Sequence, residues 1–91
     1  MNGIKTYEKF CNRIFEAALN REKIGITIEC NGMSCYGMFR VEPIQEDEDM
    51  IEIIAGDMDI IFEKSPALFT TYDESSNTYT ISNGEFRCVF A

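Results

Sequence analysis

Apolar and polar residues alternate along most of this chain, and three short glycine-containing steps interrupt the alternation. The steps are Asn31-Gly32, Gly56-Asp57 and Asn83-Gly84. Alternation with a period of two is typical of β-strands, and Asn-Gly or Gly-X between two strands is typical of a tight hairpin turn. The sequence therefore predicts three β-hairpins.

A two-residue hairpin loop dictates which residues face each other across it, and this fixes the predicted faces. In each hairpin the facing residues that share a side are mostly apolar, so one side of the sheet is predicted to be buried. The predicted pairs are Cys30 with Met33, Ile28 with Cys35 and Ile26 with Gly37 around the first turn; Ala55 with Met58, Ile53 with Ile60 and Ile51 with Phe62 around the second; and Ile81 with Phe86 and Tyr79 with Cys88 around the third.

Apolar residues recur at intervals of three and four before the first hairpin, which predicts an amphipathic helix over about residues 4–22. Gly25 is the expected stop signal for this helix. Its apolar side is expected to comprise Ile4, Tyr7, Cys11, Ile14 and Ala18, widened by Phe10, Phe15 and Leu19. Strands are predicted at about 25–30, 33–42, 50–55, 58–63, 67–72, 78–82 and 85–90.

The element order predicts an α+β fold in which the helix packs on one strongly curled antiparallel sheet of six to seven strands. With 91 residues, the chain is long enough for one domain, expected to span 1–91. A helix followed by a bent meander also resembles the layout of Sm-like proteins, which implies a small, partly closed barrel as an alternative architecture. That resemblance is topological and includes no RNA-contacting motif.

The N-terminal region carries Lys5, Glu8, Lys9 and Arg13 among its apolar residues, which is unlike the core of a signal peptide. No apolar run approaches the roughly 18 residues that a membrane span requires. We therefore expect a cytoplasmic protein that does not bind membranes.

The four cysteines, at positions 11, 30, 35 and 88, are expected to be buried, reduced thiols. The chain has no histidine and no CxxC pair, so no zinc site is predicted. A calcium loop starting at Asp47 fails at its glycine and final glutamate positions, which hold Glu52 and Met58. No cofactor or metal is expected.

Charge is distributed very unevenly. Residues 1–24 hold five basic and three acidic side chains, a net of +2, whereas residues 25–91 hold three basic and thirteen acidic ones, a net of −10. Between Val41 and Glu63 the sequence contains no lysine or arginine but nine carboxylates: Glu42, Glu46, Asp47, Glu48, Asp49, Glu52, Asp57, Asp59 and Glu63.

This imbalance disfavours direct binding to nucleic acid or to anionic membranes, since both require clustered lysine and arginine. A basic protein partner, for instance one that binds nucleic acid, is the natural complement, and the nine carboxylates are the predicted partner-binding residues. An extended run from Glu46 to Asp49 would space its charges by roughly 3.3 Å per residue, close to the roughly 3.4 Å per phosphate of one DNA strand. The spacing therefore suggests a mimic of nucleic acid, and the alternative is that these carboxylates only keep a loop and an exposed strand well solvated.

Enzymatic activity is not expected, because the chain has no histidine to act as a general base and no glycine-rich phosphate loop. Two functional hypotheses remain. The first is a small inhibitor or decoy, comparable only in size and acidity with bacterial immunity proteins and phage-encoded inhibitors of defence nucleases. The second is an assembly subunit that forms homodimers or larger oligomers through an apolar second sheet face, with Tyr36, Met38, Met50, Ile54 and Ile61 as candidate interface residues.

Overall fold

The computed structural model describes residues 4–84 and 86–91, and in this part of the chain one helix is followed by eight strands. A five-stranded antiparallel sheet has the order β2-β1-β8-β7-β6, and a three-stranded antiparallel sheet has the order β3-β4-β5. The elements are α1 (Ile4–Leu19), β1 (Lys23–Cys30), β2 (Met33–Arg40), β3 (Gln45–Glu46), β4 (Met50–Ala55), β5 (Met58–Glu63), β6 (Phe69–Asp73), β7 (Thr78–Ser82) and β8 (Phe86–Phe90).

The predicted α+β class is confirmed, but the strands form two sheets rather than one curled sheet, and the described residues do not close into a barrel. The two sheets meet where the chain leaves β2. There Val41 forms a single bridge with Ala55, flanked by backbone hydrogen bonds from Gly56 N to Arg40 O (2.8 Å) and from Glu42 N to Ile54 O (3.0 Å). The pairing is too short to merge the sheets, and among the described residues no strand pairing joins β5 to β6.

The first two hairpins have the predicted registers, while the third is shifted by two residues. Ile81 pairs with Cys88 instead of Phe86, and Tyr79 pairs with Phe90. The shift places the reversal between Asn83 and Phe86, where Asn83 N donates to Phe86 O and Phe86 N donates to the Asn83 side chain, both at 3.1 Å. Because the shift is an even number of residues, the apolar residues stay on the predicted side. Position 85 lies outside the described residues.

The helix ends earlier than predicted, and Gly25 is not its stop signal. Arg21 adopts a left-handed conformation with φ of 55°. Glu22 N donates to Ala17 O at 2.9 Å and Arg21 N donates to Ala18 O at 3.2 Å, which together form a Schellman motif. Gly25 lies instead within β1.

Two groups of elements cover the inner face of the five-stranded sheet. The helix covers one end, where the Phe10 ring lies 4.9 Å from Phe90 and 5.7 Å from Tyr79. The three-stranded sheet covers the other end, where the rings of Phe62 and Phe86 are 5.0 Å apart. The core lies between these layers and includes Phe10, Ile14, Ala17, Ile24, Ile26, Ile51, Ile53, Ile60, Phe62, Ile81, Cys88 and Phe90.

The buried side of the helix is narrower than predicted. Phe10, Ile14 and Ala17 form its centre, whereas Phe15 is 52% exposed and Leu19 72% exposed. The apolar residues of the helix are spread over a wider arc than the layer beneath it covers, so Phe15 and Leu19 remain outside the buried side.

Candidate functional site

The outer surface of the three-stranded sheet brings together four of the nine predicted partner-binding residues. Its side chains alternate with the buried residues of β4 and β5, and the pairing places Met50 opposite Glu63, Glu52 opposite Ile61, and Ile54 opposite Asp59. Glu42 joins them because its backbone pairs with Ile54. We call this surface the acidic face; it comprises Glu42, Met50, Glu52, Ile54, Asp59, Ile61 and Glu63.

The acidic face is also partly apolar. Met50 and Ile61 are 40% and 48% exposed on it, and Ile54 is half-buried nearer the turn between β4 and β5. Tyr36 and Met38, which the sequence assigned to the same apolar surface, lie on the outer side of the five-stranded sheet instead. The candidate apolar interface is therefore divided between the two sheets.

Glu52 and Asp59 are diagonal neighbours on the acidic face. A hydrogen bond between their carboxyl groups raises the pKa of Glu52, and desolvation and the charge of Asp59 raise it further. No basic side chain in the described part of the chain forms an ion pair with either carboxylate. The acidic face is thus a place where negative charge is concentrated without an internal counter-charge.

This pair predicts a pH-dependent stability. The folded protein retains the Glu52 proton to a higher pH than the unfolded chain does. The hydrogen bond between Glu52 and Asp59 therefore stabilises the fold fully at pH values below the pKa of Glu52 in the unfolded chain. This stabilisation is lost as pH rises through the pKa of Glu52 in the folded protein. A Glu52→Gln variant, whose amide can still donate to Asp59, should therefore melt at a higher temperature than the wild type at pH 7, and the two should converge near pH 4. Thermal melts across this range measure the difference.

Glu48→Gln is the matched control, since it removes the same charge from the exposed loop before β4. If Glu48→Gln and Glu52→Gln show the same pH dependence, the interaction between Glu52 and Asp59 does not influence stability.

Glu46 points away from the acidic face and toward the helix. Tyr7 donates its hydroxyl proton to Oε1 of Glu46 at 3.0 Å, and Nζ of Lys64 lies 2.7 Å from Oε2. The hydrogen bond from Lys64 lowers the pKa of the Glu46 carboxyl, while burial is the main reason that the pKa of Tyr7 is raised. Glu46 therefore connects three segments of the fold and is neutralised by Lys64.

The expected extended run from Glu46 to Asp49 does not form. β3 ends at Glu46, and the Asp47 carboxylate accepts hydrogen bonds from Asp49 N at 2.7 Å and Met50 N at 2.9 Å. These bonds lower the pKa of Asp47 and hold the chain in a tight turn. Glu48, Asp49 and Asp57 are exposed in the connecting segments. The regular charge spacing predicted from the sequence is thus absent from this run.

A polar groove on the outer side of the five-stranded sheet was not predicted from the sequence. It has a volume of about 660 Å³ and an open mouth beside the β1–β2 turn. Arg87 forms an ion pair with Glu29 across β8 and β1 at its centre. A row of facing residues crosses the groove from strand to strand: Ser34, Glu29, Arg87, Ser82 and Phe69.

All four cysteines are free thiols, but their burial differs from the prediction. Only Cys88 is buried, and this burial raises the pKa of its thiol to about 12. Cys11 and Cys30 are half-buried. Cys35 is exposed because its strand, β2, lies at the edge of the sheet. Within residues 4–84 and 86–91, no three acidic or cysteine side chains are grouped closely enough to hold a metal ion.

No protein-family model, curated protein or solved structure matches this chain. In the part of the chain that the structure describes, no helix has the length and apolar character needed to cross a membrane.

Proposed function

We propose that this protein is a small, non-enzymatic binding module whose acidic face occupies a basic groove on a partner protein. One observation carries the proposal: the acidic face and its adjoining loops hold seven carboxylates for which the described residues provide no ion pair. They are Glu42, Glu48, Asp49, Glu52, Asp57, Asp59 and Glu63. A partner rich in lysine and arginine would supply the missing counter-charge.

The mixed chemistry of the acidic face suits such a partner. Arginine and lysine combine a charged head with an apolar stem, and the stem packs well on exposed aliphatic side chains. Met50 and Ile61 offer such surfaces beside Glu63 and Glu52. The high negative charge would speed the encounter and select against acidic partners.

The proposed partner is a protein that normally binds nucleic acid, so that the module acts as an inhibitor or decoy. Neighbouring residues on one face of a strand are two positions apart, so Asp59 and Glu63, with Ile61 between them, are four residues or roughly 13 Å apart at about 3.3 Å per residue. These two carboxylates, together with Glu52 on the paired strand, concentrate negative charge on one surface, as a nucleic-acid backbone does. This concentration of charge supports the proposed mimicry in place of the regular spacing expected from Glu46 to Asp49.

A charge-reversal experiment tests this proposal. The wild type is immobilised as bait in an extract of its source cells, and captured proteins are eluted with rising salt, identified, purified and measured one by one against the bait. For a true partner, a variant carrying Glu52→Lys, Asp59→Lys and Glu63→Lys should bind about 100-fold more weakly or worse, and wild-type affinity should fall with salt. A nucleic-acid fragment should compete with the bait for that partner.

The matched control carries the same three changes at exposed positions outside the acidic face: Glu8→Lys, Glu16→Lys and Glu74→Lys. This variant has the same net charge and should retain most of the affinity. Equal losses in the two variants would show that only net charge matters, and salt-independent binding would contradict the proposal outright.

The alternative function, an assembly subunit that associates with its own copies, is favoured by a different observation. Tyr36 and Met38 remain 65% and 53% exposed on β2, which is an edge strand. This surface is separate from the acidic face, so the two functions can be tested independently.

A further inference from the structure

The outer edge of β2 carries unpaired backbone groups. Cys30 and Met33 flank the two-residue turn and form a hydrogen-bonded pair, so the residues of β2 that point their N–H and C=O groups away from β1 are Ser34, Tyr36, Met38 and Arg40. Arg40 O already accepts Gly56 N from the second sheet. Within the described residues, the edge from Met33 to Phe39 pairs with no other strand.

This edge lacks the features that usually prevent strands from pairing between molecules. Residues 30–39 contain no charged side chain and no proline, although charged residues make up 26% of the chain. The other edges differ: β6 ends in Asp73, and β5 carries Asp59 and Glu63. Exposed, uncharged edge strands are normally covered by a partner, because they otherwise promote aggregation.

The side chain of Tyr36 leaves the edge accessible. Its ring leans back over β1, where its hydroxyl lies 2.6 Å from the position that a Cβ of Gly25 would occupy. The same hydroxyl contacts Sδ of Met38 at 3.2 Å. The absence of a side chain at Gly25 thus lets the ring lie across the sheet, with the strand backbone open beside it.

We propose that this edge binds a second copy of the chain, with the two β2 strands antiparallel about a two-fold axis at Tyr36. The unpaired groups are symmetric about this residue, so Ser34 of each copy faces Met38 of the other and the two Tyr36 residues face each other. Each of these three pairs exchanges two hydrogen bonds, and together they satisfy every free backbone group of the edge. The two five-stranded sheets become one sheet of ten strands.

The ends of the edge match this register. Met33 of the second copy, the first residue of its β2, would face Phe39 of the first copy. The next residue of the first copy is Arg40, whose carbonyl already accepts a hydrogen bond from Gly56 in the turn between β4 and β5. The second copy therefore fills the vacant part of the edge without displacing the contact between the two sheets.

The edge itself brings no like charges together, although two chains with a net charge of −8 each repel one another at long range. The only charged side chain of β2 is Arg40. The two Arg40 residues would lie at opposite ends of the interface, eight residues or roughly 26 Å apart at about 3.3 Å per residue. No pair of like charges is brought together along the edge.

Sedimentation equilibrium tests the association. Over a series up to about 500 µM, which covers the Kd range of weak reversible interfaces, the mass should rise from 10.4 kDa toward twice that value. Tyr36→Lys places two cations opposite each other and should keep the protein monomeric, while Tyr72→Lys, the same change on the other edge strand, should leave the dimer intact. Circular dichroism verifies that each variant is folded.

Disulfide trapping tests the register, in a Cys35→Ser background that removes the exposed native thiol. Tyr36→Cys should give a covalent dimer on mild oxidation, because facing residues in a hydrogen-bonded pair have Cα atoms about 5.5 Å apart. Ser34→Cys and Met38→Cys should each stay monomeric alone, since identical positions would be four residues or roughly 13 Å apart. A mixture of the last two variants should form the covalent heterodimer.

A wild type that remains at 10.4 kDa throughout the series would overturn the proposal, as would equal trapping of all three variants with an introduced cysteine. Failure of this proposal is distinguishable from failure of the proposed function, because Tyr36 lies outside the acidic face. Tyr36→Lys should retain binding to a basic partner even though it is monomeric.

Discussion

Replacing Phe62 with alanine should lower the free energy of unfolding by about 3–5 kcal/mol. The Phe62 side chain is fully buried, and its ring lies 5.0 Å from Phe86 in the facing sheet. The substitution removes apolar contacts from both layers and leaves a cavity that the surrounding strands fill only partly. Urea denaturation followed by circular dichroism measures the loss.

Ile61→Ala provides the control for Phe62→Ala, because the two residues are adjacent in β5 but point to opposite sides. Ile61 is 48% exposed on the acidic face, so its truncation should cost only about 1 kcal/mol or less. Comparable losses for the two variants would mean that β5 does not bury Phe62 against the five-stranded sheet.

Replacing Phe10 with alanine should destabilise the protein to a similar extent, by about 3–5 kcal/mol, because this residue attaches the helix to the sheet. Its ring is fully buried between Phe90 and Tyr79. A domain of this size is typically stable by about 5–15 kcal/mol, so the loss is a large fraction of the total stability and should lower the melting temperature clearly. Thermal and urea denaturation both report the effect.

Phe15→Ala makes the identical change five residues further along the same helix. Phe15 is 52% exposed, and we expect a loss of about 1 kcal/mol or less. If Phe15→Ala were the more damaging substitution, the helix would pack on the sheet through the side that carries Phe15. The wider apolar side predicted from the sequence includes that residue.

The parts of the fold that depend on local chemistry could be predicted from the sequence. The turns at Asn31-Gly32 and Gly56-Asp57 fix their own registers, and both were confirmed. The third turn was misplaced because the Asn83 side chain accepts a hydrogen bond from Phe86 N, which selects a different alignment of the same apolar residues. Local composition does not encode that choice.

The division into two sheets depends on distant contacts, which the pattern of single segments does not contain. The bridge between Val41 and Ala55 marks the point at which the chain leaves the five-stranded sheet and comes beside the end of β4 in the other sheet. The helix boundary was missed for another reason, since Arg21 occupies a left-handed position for which glycine is the usual residue.

The candidate site was partly predictable as well. The concentration of carboxylates between Val41 and Glu63 is visible in the sequence, and the structure places most of them on one surface or the loops beside it. The separate roles of Glu46 and Asp47 were not visible, because they depend on Lys64 and on the turn before β4. The ion pair between Glu29 and Arg87 links residues 58 positions apart and requires knowledge of the pairing between β1 and β8.

The pairing of β1 with β8 has a consequence for biosynthesis. A ribosome produces the β1–β2 hairpin early, but β1 cannot gain its second neighbour until Phe90 has left the exit tunnel. Until then both edge strands of the nascent hairpin can pair with other chains on the same polysome. Folds that depend on contacts between distant residues are also slow to form. Translation speed and chaperone supply should therefore influence the yield of this protein more strongly than its small size suggests.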